Sequence, residues 1–120
     1  MMLTDVLVIC IISYLIGSIP CGVLLAQMQN LDIREHGSGN IGATNVARVL
    51  GKKAGLLTLL GDVIKGLIVV FGAGALYKTP MLISIAGLMV FLGHLYSIFL
   101  RTLPRFLLSV EECYRNAFVR

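Results

Sequence analysis

Leu3-Thr4-Asp5-Val6-Leu7-Val8-Ile9-Cys10-Ile11-Ile12-Ser13-Tyr14-Leu15-Ile16-Gly17-Ser18-Ile19-Pro20-Cys21-Gly22-Val23-Leu24-Leu25-Ala26-Gln27-Met28 carries a single charge, Asp5. The run exceeds the roughly 20 apolar residues needed to cross a hydrocarbon core about 30 Å thick. It reads as a membrane span over 3–28. A signal peptide fits less well: the start is not basic, the apolar run is longer than the usual ~7–15 residues, and no small-x-small cleavage site precedes the polar stretch. The span is therefore expected to stay attached. Pro20 removes a backbone hydrogen bond inside this span and predicts a kink or break. Gly17, Ser18 and Gly22 around it fit a close helix crossing. Equally, they fit a backbone opening beside a polar site, since freed carbonyls in a membrane must find partners in protein or water.

Outward from this run, 54–76 is a second apolar span, interrupted by Asp62 and Lys65, and 81–100 is a third whose one titratable group is His94. Tyr77-Lys78-Thr79-Pro80 is the tight turn between them. The fold class is all-α, a polytopic membrane protein with three transmembrane helices. Composition agrees: of 120 residues, 58% are hydrophobic and 13% charged, with a mean hydropathy of +0.92. A soluble domain carries roughly 25% charged residues. Disorder, coiled coil and collagen are excluded, and the partner such a chain suits is lipid, with no nucleic acid.

The ten Lys and Arg against six Asp and Glu give a net charge of +4. Arg34, Arg48, Lys52 and Lys53 fall in the first polar loop, Lys78 alone in the second turn, and Arg101, Arg105, Arg115 and Arg120 after the third span. The positive-inside rule then puts the loop and the C-terminus in the cytoplasm and the N-terminus outside. Cys10, Cys21 and Cys113 are an odd number without ligand spacing, so neither a disulfide framework nor a metal site is signalled. Along a helix Cys10 and Cys21 are about 16 Å apart, beyond disulfide reach.

The polar loop, 29–53, holds Gly37-Ser38-Gly39-Asn40-Ile41-Gly42-Ala43-Thr44-Asn45, with Arg48 one turn further on. It matches G-x-G-x-x-G, but a dinucleotide fingerprint needs a preceding strand and a βαβ unit, and a membrane span precedes it instead. The underlying physics survives: glycines let backbone N–H groups crowd an anion, a helix beginning near Ala43 adds its positive end, and Arg48 offers a fork for phosphate. The rival is a glycine-rich turn in which Ser38 and Asn40 cap the next helix and Arg48 meets lipid headgroups. Asp62 and Lys65, three apart, share a helix face and form either a structural ion pair or a functional intramembrane site. His36 reads as a solvated loop residue, and His94 as a buried hydrogen-bonded histidine or a member of the site.

The motifs Ser13-Tyr14-Leu15-Ile16-Gly17-Ser18-Ile19-Pro20-Cys21-Gly22, Asp32-Ile33-Arg34, Gly37 to Arg48, Asp62-Val63-Ile64-Lys65-Gly66 and Gly93-His94 resemble, in order and spacing, the bacterial acyl-phosphate:glycerol-3-phosphate acyltransferases, the PlsY family. The resemblance runs over about residues 5–101 of this sequence. It implies a multi-pass enzyme of the bacterial inner membrane. Its reaction moves a fatty acyl group from acyl phosphate to the 1-hydroxyl of sn-glycerol 3-phosphate, giving 1-acyl-glycerol 3-phosphate and phosphate, with no cofactor. By motif position Ser38, Asn40, Asn45 and Arg48 are the expected catalytic residues. Gly37, Gly39, Gly42, Thr44, Asp62, Lys65 and His94 are expected to bind substrate. An acyl phosphate is already activated, so orientation and charge stabilisation suffice without a covalent nucleophile. The general base is either a substrate phosphate oxygen or a histidine.

After Arg101 the family continues into a Lys-Gly-Gly-Lys-Gly-Val-Ala-Thr loop, whereas this chain reads Thr102-Leu103-Pro104-Arg105-Phe106 and runs to Arg120. The expected organisation is 1–101 as the N-terminal part of the acyltransferase domain and 102–120 as a non-family tail. The abrupt change is what a frameshift produces, and a glycine/lysine loop in a neighbouring reading frame would reveal one. Leu103, Phe106, Leu107, Val110 and Tyr114 fall at helical spacing, an accidental pattern if the tail is out of frame. Without the lysine loop the chain alone is expected to be inactive. The alternative reading is a small non-catalytic membrane protein that binds anionic headgroups or a full-length partner. A transporter fragment would also explain a broken helix with an intramembrane Asp/Lys pair, but no internal repeat supports it.

Overall fold

Apolar runs without polar interruption form helices because a lipid-embedded backbone must satisfy its own hydrogen bonds. The computed structural model, which describes residues 3–100, consists of helices and turns. They are α1 (Leu3–Gly17), α2 (Cys21–Gln27), α3 (Ala43–Leu50), α4 (Lys52–Tyr77) and α5 (Pro80–Leu95), with a single 3₁₀ turn at Ile33–Glu35. The apolar stretch Leu3–Gln27 and α4 are each long and apolar enough to cross a membrane. At 1.5 Å per residue α4 is about 39 Å long. The tail 102–120, with its helically spaced apolar residues, lies outside the described residues.

One expectation is met and one is corrected. The first apolar run breaks at Pro20 as its sequence predicts: Ser18–Pro20 leave the helix, and Pro20, at φ −88° and ψ 84°, precedes α2. The apolar helix α5, expected as a third span to Leu100, stops at Leu95 and is shorter than the two helical stretches long enough to cross a membrane. At Tyr96 the backbone departs to φ −120° and ψ 55°. The Tyr14 hydroxyl donates to the Tyr96 carbonyl at 2.5 Å, and the Ser97 hydroxyl donates to the Ser18 carbonyl. Hydrogen bonds to α1 thus replace the helix's own. The turn after α4 is as the sequence suggests: Lys78 takes the left-handed conformation, and Pro80 opens α5 where its missing N–H costs nothing.

Two apolar clusters hold the helices. Ile9, Val69, Ala73, Leu82, Ala86 and Val90 join α1, α4 and α5. Val23, Ala26, Ile33, Val46 and Ala54 join α2, the 3₁₀ turn, α3 and the start of α4, so they lie under the polar loop. Burying side chains such as Val23 and Val46 there is worth about 1.5–3 kcal/mol each where water is the alternative. The outward faces are apolar: Leu56, Leu60, Ile64, Ile68 and Phe71 of α4 are all exposed. Patches of that extent on a protein mark contact with another apolar phase or partner.

Candidate active site

The polar loop is folded around one side chain. Asn45, on the inward face of α3, is 2% exposed. Its Oδ1 accepts the Ser38 N–H at 2.9 Å. Its Nδ2 donates to the carbonyls of Asn40 at 2.8 Å, His36 at 3.1 Å and Ile33 at 3.4 Å. Gly37 and Gly39 take φ of +58° and +73°, where side chains are strained. A Cβ on Gly37 would run into Asn45 Oδ1, and one on Gly39 would lie 3.0 Å from the Arg34 carbonyl oxygen.

Two sequence readings change here. The Ser38, Gly39, Asn40 and Gly42 N–H groups all bond within the loop, to Asn45 Oδ1, the His36 carbonyl, Ser38 Oγ and Asn40 Oδ1. Gly37 and Gly39 therefore make the turn itself rather than bare the backbone to a ligand. Nor do Ser38 and Asn40 cap α3: the Asn40 side chain bonds the Gly42 N–H, ahead of the first helical residue, and Gly42, the N-cap, has no side chain to offer. The first turn of α3 is left open, and helix N-termini favour anions. Thr44 and Arg48, four apart on α3, are exposed on its outer face. Ser38, Asn40, Thr44 and Arg48 are thus all exposed, while Asn45 is buried beneath the loop.

Arg34 is already occupied. Its Nε and Nη2 grip the two oxygens of Asp32 at 3.0 and 2.8 Å, and Nη1 donates to the Leu100 carbonyl at 3.2 Å. Those side-chain bonds hold the Asp32 carboxyl below the usual carboxylate range. A lowered folded pKa means stability present above the ordinary value and lost as pH falls through the lower one. Hydrogen exchange at the Arg34 N–H, which also bonds Asp32, should stay slow at neutral pH and accelerate only at strongly acidic pH. Asp32→Asn should remove about 1 kcal/mol at neutral pH and almost nothing in acid, because the pair is partly exposed.

The second cluster forms where the helix breaks. Lys65, buried on α4, lies 2.7 Å from Asp62 Oδ1, 2.9 Å from the Ile19 carbonyl and 3.1 Å from His94 Nδ1. His94 Nδ1 is 3.7 Å from the same Asp62 oxygen. The break therefore both packs and opens: Gly17 meets Val90 backbone, while the Ile19 and Ser18 carbonyls that the break leaves open accept from Lys65 and Ser97. Ser97, absent from the sequence-based site, was discernible only through Pro20's need for outside donors. Ile19, Pro20, Cys21, Gly22, Ile41, Asp62, His94 and Ser97 line a narrow, water-sized cleft between this cluster and Ile41 of the glycine loop. A wider groove of about 250 Å³ runs between α4 and α5 past Val63, Lys65, Phe91 and His94.

The family model for glycerol-3-phosphate acyltransferase matches residues 7–103. The chain belongs to the glycerol-3-phosphate acyltransferase family. Similar acyltransferases include that of Geobacter metallireducens, 57% identical over 88 residues, which are 73% of this chain and 45% of that one. The enzyme of Geotalea daltonii is 52% identical over 99 residues, 82% of this chain and 51% of its own length. A solved structure of PlsY (YgiH), described as an integral membrane glycerol 3-phosphate acyltransferase in its glycerol 3-phosphate form, superposes with a TM-score of 0.73 at 41% identity, over 78% of this chain and 48% of that one. Its lysophosphatidic acid form gives 0.71 at 40% identity. The chain spans about half the length of the curated acyltransferases it matches.

Proposed function

We propose that this chain carries the N-terminal part of a bacterial inner-membrane acyltransferase, residues 1–101, that moves a fatty acyl group from acyl phosphate to the 1-hydroxyl of glycerol 3-phosphate. The observation that carries the reading is the open first turn of α3 beside Ser38, Asn40, Thr44 and Arg48, in a family whose solved members are described with a phosphate-bearing ligand. Thr102 to Arg120 is the non-family tail. The chain crosses the membrane three times, the N-terminus outside and the glycine loop in the cytoplasm. The basic residues Arg48, Lys52 and Lys53 on the loop side against Lys78 alone on the other support that orientation.

In this reading the α3 N-terminus and Arg48 hold a phosphate, and Ser38 Oγ and the Asn40 side chain orient it. Asn45 shapes the loop, with Gly37, Gly39 and Gly42 as its bends. The acceptor hydroxyl attacks the acyl carbonyl as its proton passes to a substrate phosphate oxygen or a histidine, the C–O bond to phosphate breaks, and charge on the leaving phosphate is met by donors already in place. Asp62, Lys65 and His94 form the far wall, across the cleft at Ile41.

The test has two arms on the purified chain in lipid bilayers. Arg48→Ala should weaken glycerol 3-phosphate binding about ten- to a hundredfold, the loss of one charged hydrogen bond of roughly 1.5–3 kcal/mol. Equal binding by variant and parent would sink the phosphate site. Transfer from acyl phosphate to labelled glycerol 3-phosphate is expected at background for this chain alone, since residues 102–106 replace the family's lysine-bearing loop. Arg48-dependent turnover would overturn that second expectation and make the Gly37–Arg48 segment sufficient.

A further inference from the structure

An ammonium has three N–H donors and no acceptor, and Lys65 meets three acceptors: Asp62 Oδ1, the Ile19 carbonyl and His94 Nδ1. Every donor is used. The bond to His94 has a consequence for the ring, because a nitrogen that faces an N–H must offer its lone pair. Nδ1 is then bare, and the proton of the neutral imidazole sits on Nε2. Nε2 makes no hydrogen bond among the described residues. The His94 side chain is 39% exposed and lines both the cleft at Ile41 and the groove at Phe91.

We propose that Lys65 is a positioning residue: it fixes His94 as the Nε2–H tautomer and so presents one neutral N–H donor to an oxygen of a phosphate ester or acyl phosphate lying between the cluster and the glycine loop. The identity of that anion rests on the acyltransferase reading; the tautomer does not. Three donors on one nitrogen suit acceptors on three segments, where the planar fork of an arginine would not reach all of them. Lys65 and Asp62 cancel, so a neutral ring leaves the cluster without net charge, the arrangement least costly at membrane depth. The same ammonium closes the Ile19 carbonyl. One side chain thereby sets both the helix break and the ring that faces it.

His36→Gln leaves His94 as the one histidine, and among the described residues the His36 side chain hydrogen-bonds only the Asp32 backbone carbonyl. The full chain carrying this change, labelled with ¹⁵N-histidine in lipid bilayers at neutral pH, should give one bare nitrogen, Nδ1, and one protonated, Nε2. Inorganic phosphate should shift the Nε2–H signal. Lys65→Met should lose both the single-tautomer pattern and the phosphate-induced shift. A proton on Nδ1, an imidazolium, or a pattern unchanged in Lys65→Met would overturn the proposal. So would phosphate that binds through Arg48 yet leaves Nε2–H unmoved. Should Lys65→Met fail to insert, the parent's tautomer and phosphate response decide the matter. Loss of Arg48-dependent binding would sink the acyltransferase site and leave the tautomer standing, so the two failures are distinct.

Discussion

Alanine at Gly93 is expected to destabilise the helix assembly by about 3 kcal/mol, although alanine is the better helix former by about 1 kcal/mol. The added Cβ would enter the Tyr14 carbonyl oxygen and lie 3.0 Å from the Ser18 nitrogen and 3.1 Å from the Gly17 carbonyl carbon. All three obstacles are backbone, so relief requires α1 and α5 to separate. Gly17 makes the reciprocal contact, its Cβ position meeting the Val90 carbonyl oxygen and lying 2.8 Å from Val90 Cα. Gly17→Ala should behave like Gly93→Ala. Gly72, on α4 with nothing within 4 Å, is the control: alanine there should stabilise by about 0.5–1 kcal/mol. Thermal unfolding in detergent micelles reads the sign. A Gly93→Ala midpoint at or above the parent's would overturn the close crossing, and with it the reason that Ser97 reaches Ser18.

That crossing marks where the sequence stops being informative. Hydropathy located every long apolar helix, because lipid demands continuous runs and the runs are plain. It could not see α5 end at Leu95, since Ile98, Phe99 and Leu100 continue the apolar composition. The stop is made by Tyr14 and Ser97 hydroxyls bonding across helices, and neither bond has a local signal. Pro20 announced the break in the first span correctly. Which groups would satisfy the freed carbonyls depended on α4 and on the segment after α5, distant in sequence.

The site divides in the same way. Asp62 and Lys65 were legible as a pair because their spacing of three is a helical neighbour distance. His94, 29 residues from Lys65, could be suspected but not joined to them. In the glycine stretch, residue types pointed to an anion and the helix start near Ala43 was readable. The division of labour was not. Gly37 and Gly39 serve Asn45 and the Arg34 carbonyl, and side-chain bonds to backbone groups five to twelve residues away follow no period. Arg34 and Arg48 look alike in composition, yet Asp32 two residues off occupies the first, while Arg48 makes no hydrogen bond or ion pair among the described residues.

Asn45 therefore carries the other large expected effect. Asn45→Ala removes the acceptor of the Ser38 N–H and the donors to three carbonyls, and each buried group left unpaired costs about 1–3 kcal/mol, less where water enters. The loop from Gly37 to Gly42 should lose its shape while the long helices persist, since the cluster of Ile9, Val69, Ala73, Leu82, Ala86 and Val90 that joins α1, α4 and α5 lies outside it. Proteolysis between Gly37 and Gly42 should rise, and glycerol 3-phosphate binding should fall about as far as in Arg48→Ala, with helix content by circular dichroism unchanged. Asn45→Asp discriminates further. It keeps an acceptor for Ser38 but loses both donors and sets a carboxylate against the Ile33, His36 and Asn40 carbonyls, so it should be at least as damaging as alanine. If both variants kept the loop protected, the amide would not organise it. If aspartate alone restored binding, the Ser38 bond would outweigh the three carbonyl bonds, contrary to the geometry, in which a single buried amide ties together the 3₁₀ turn, the glycine bends and the helix that presents Arg48.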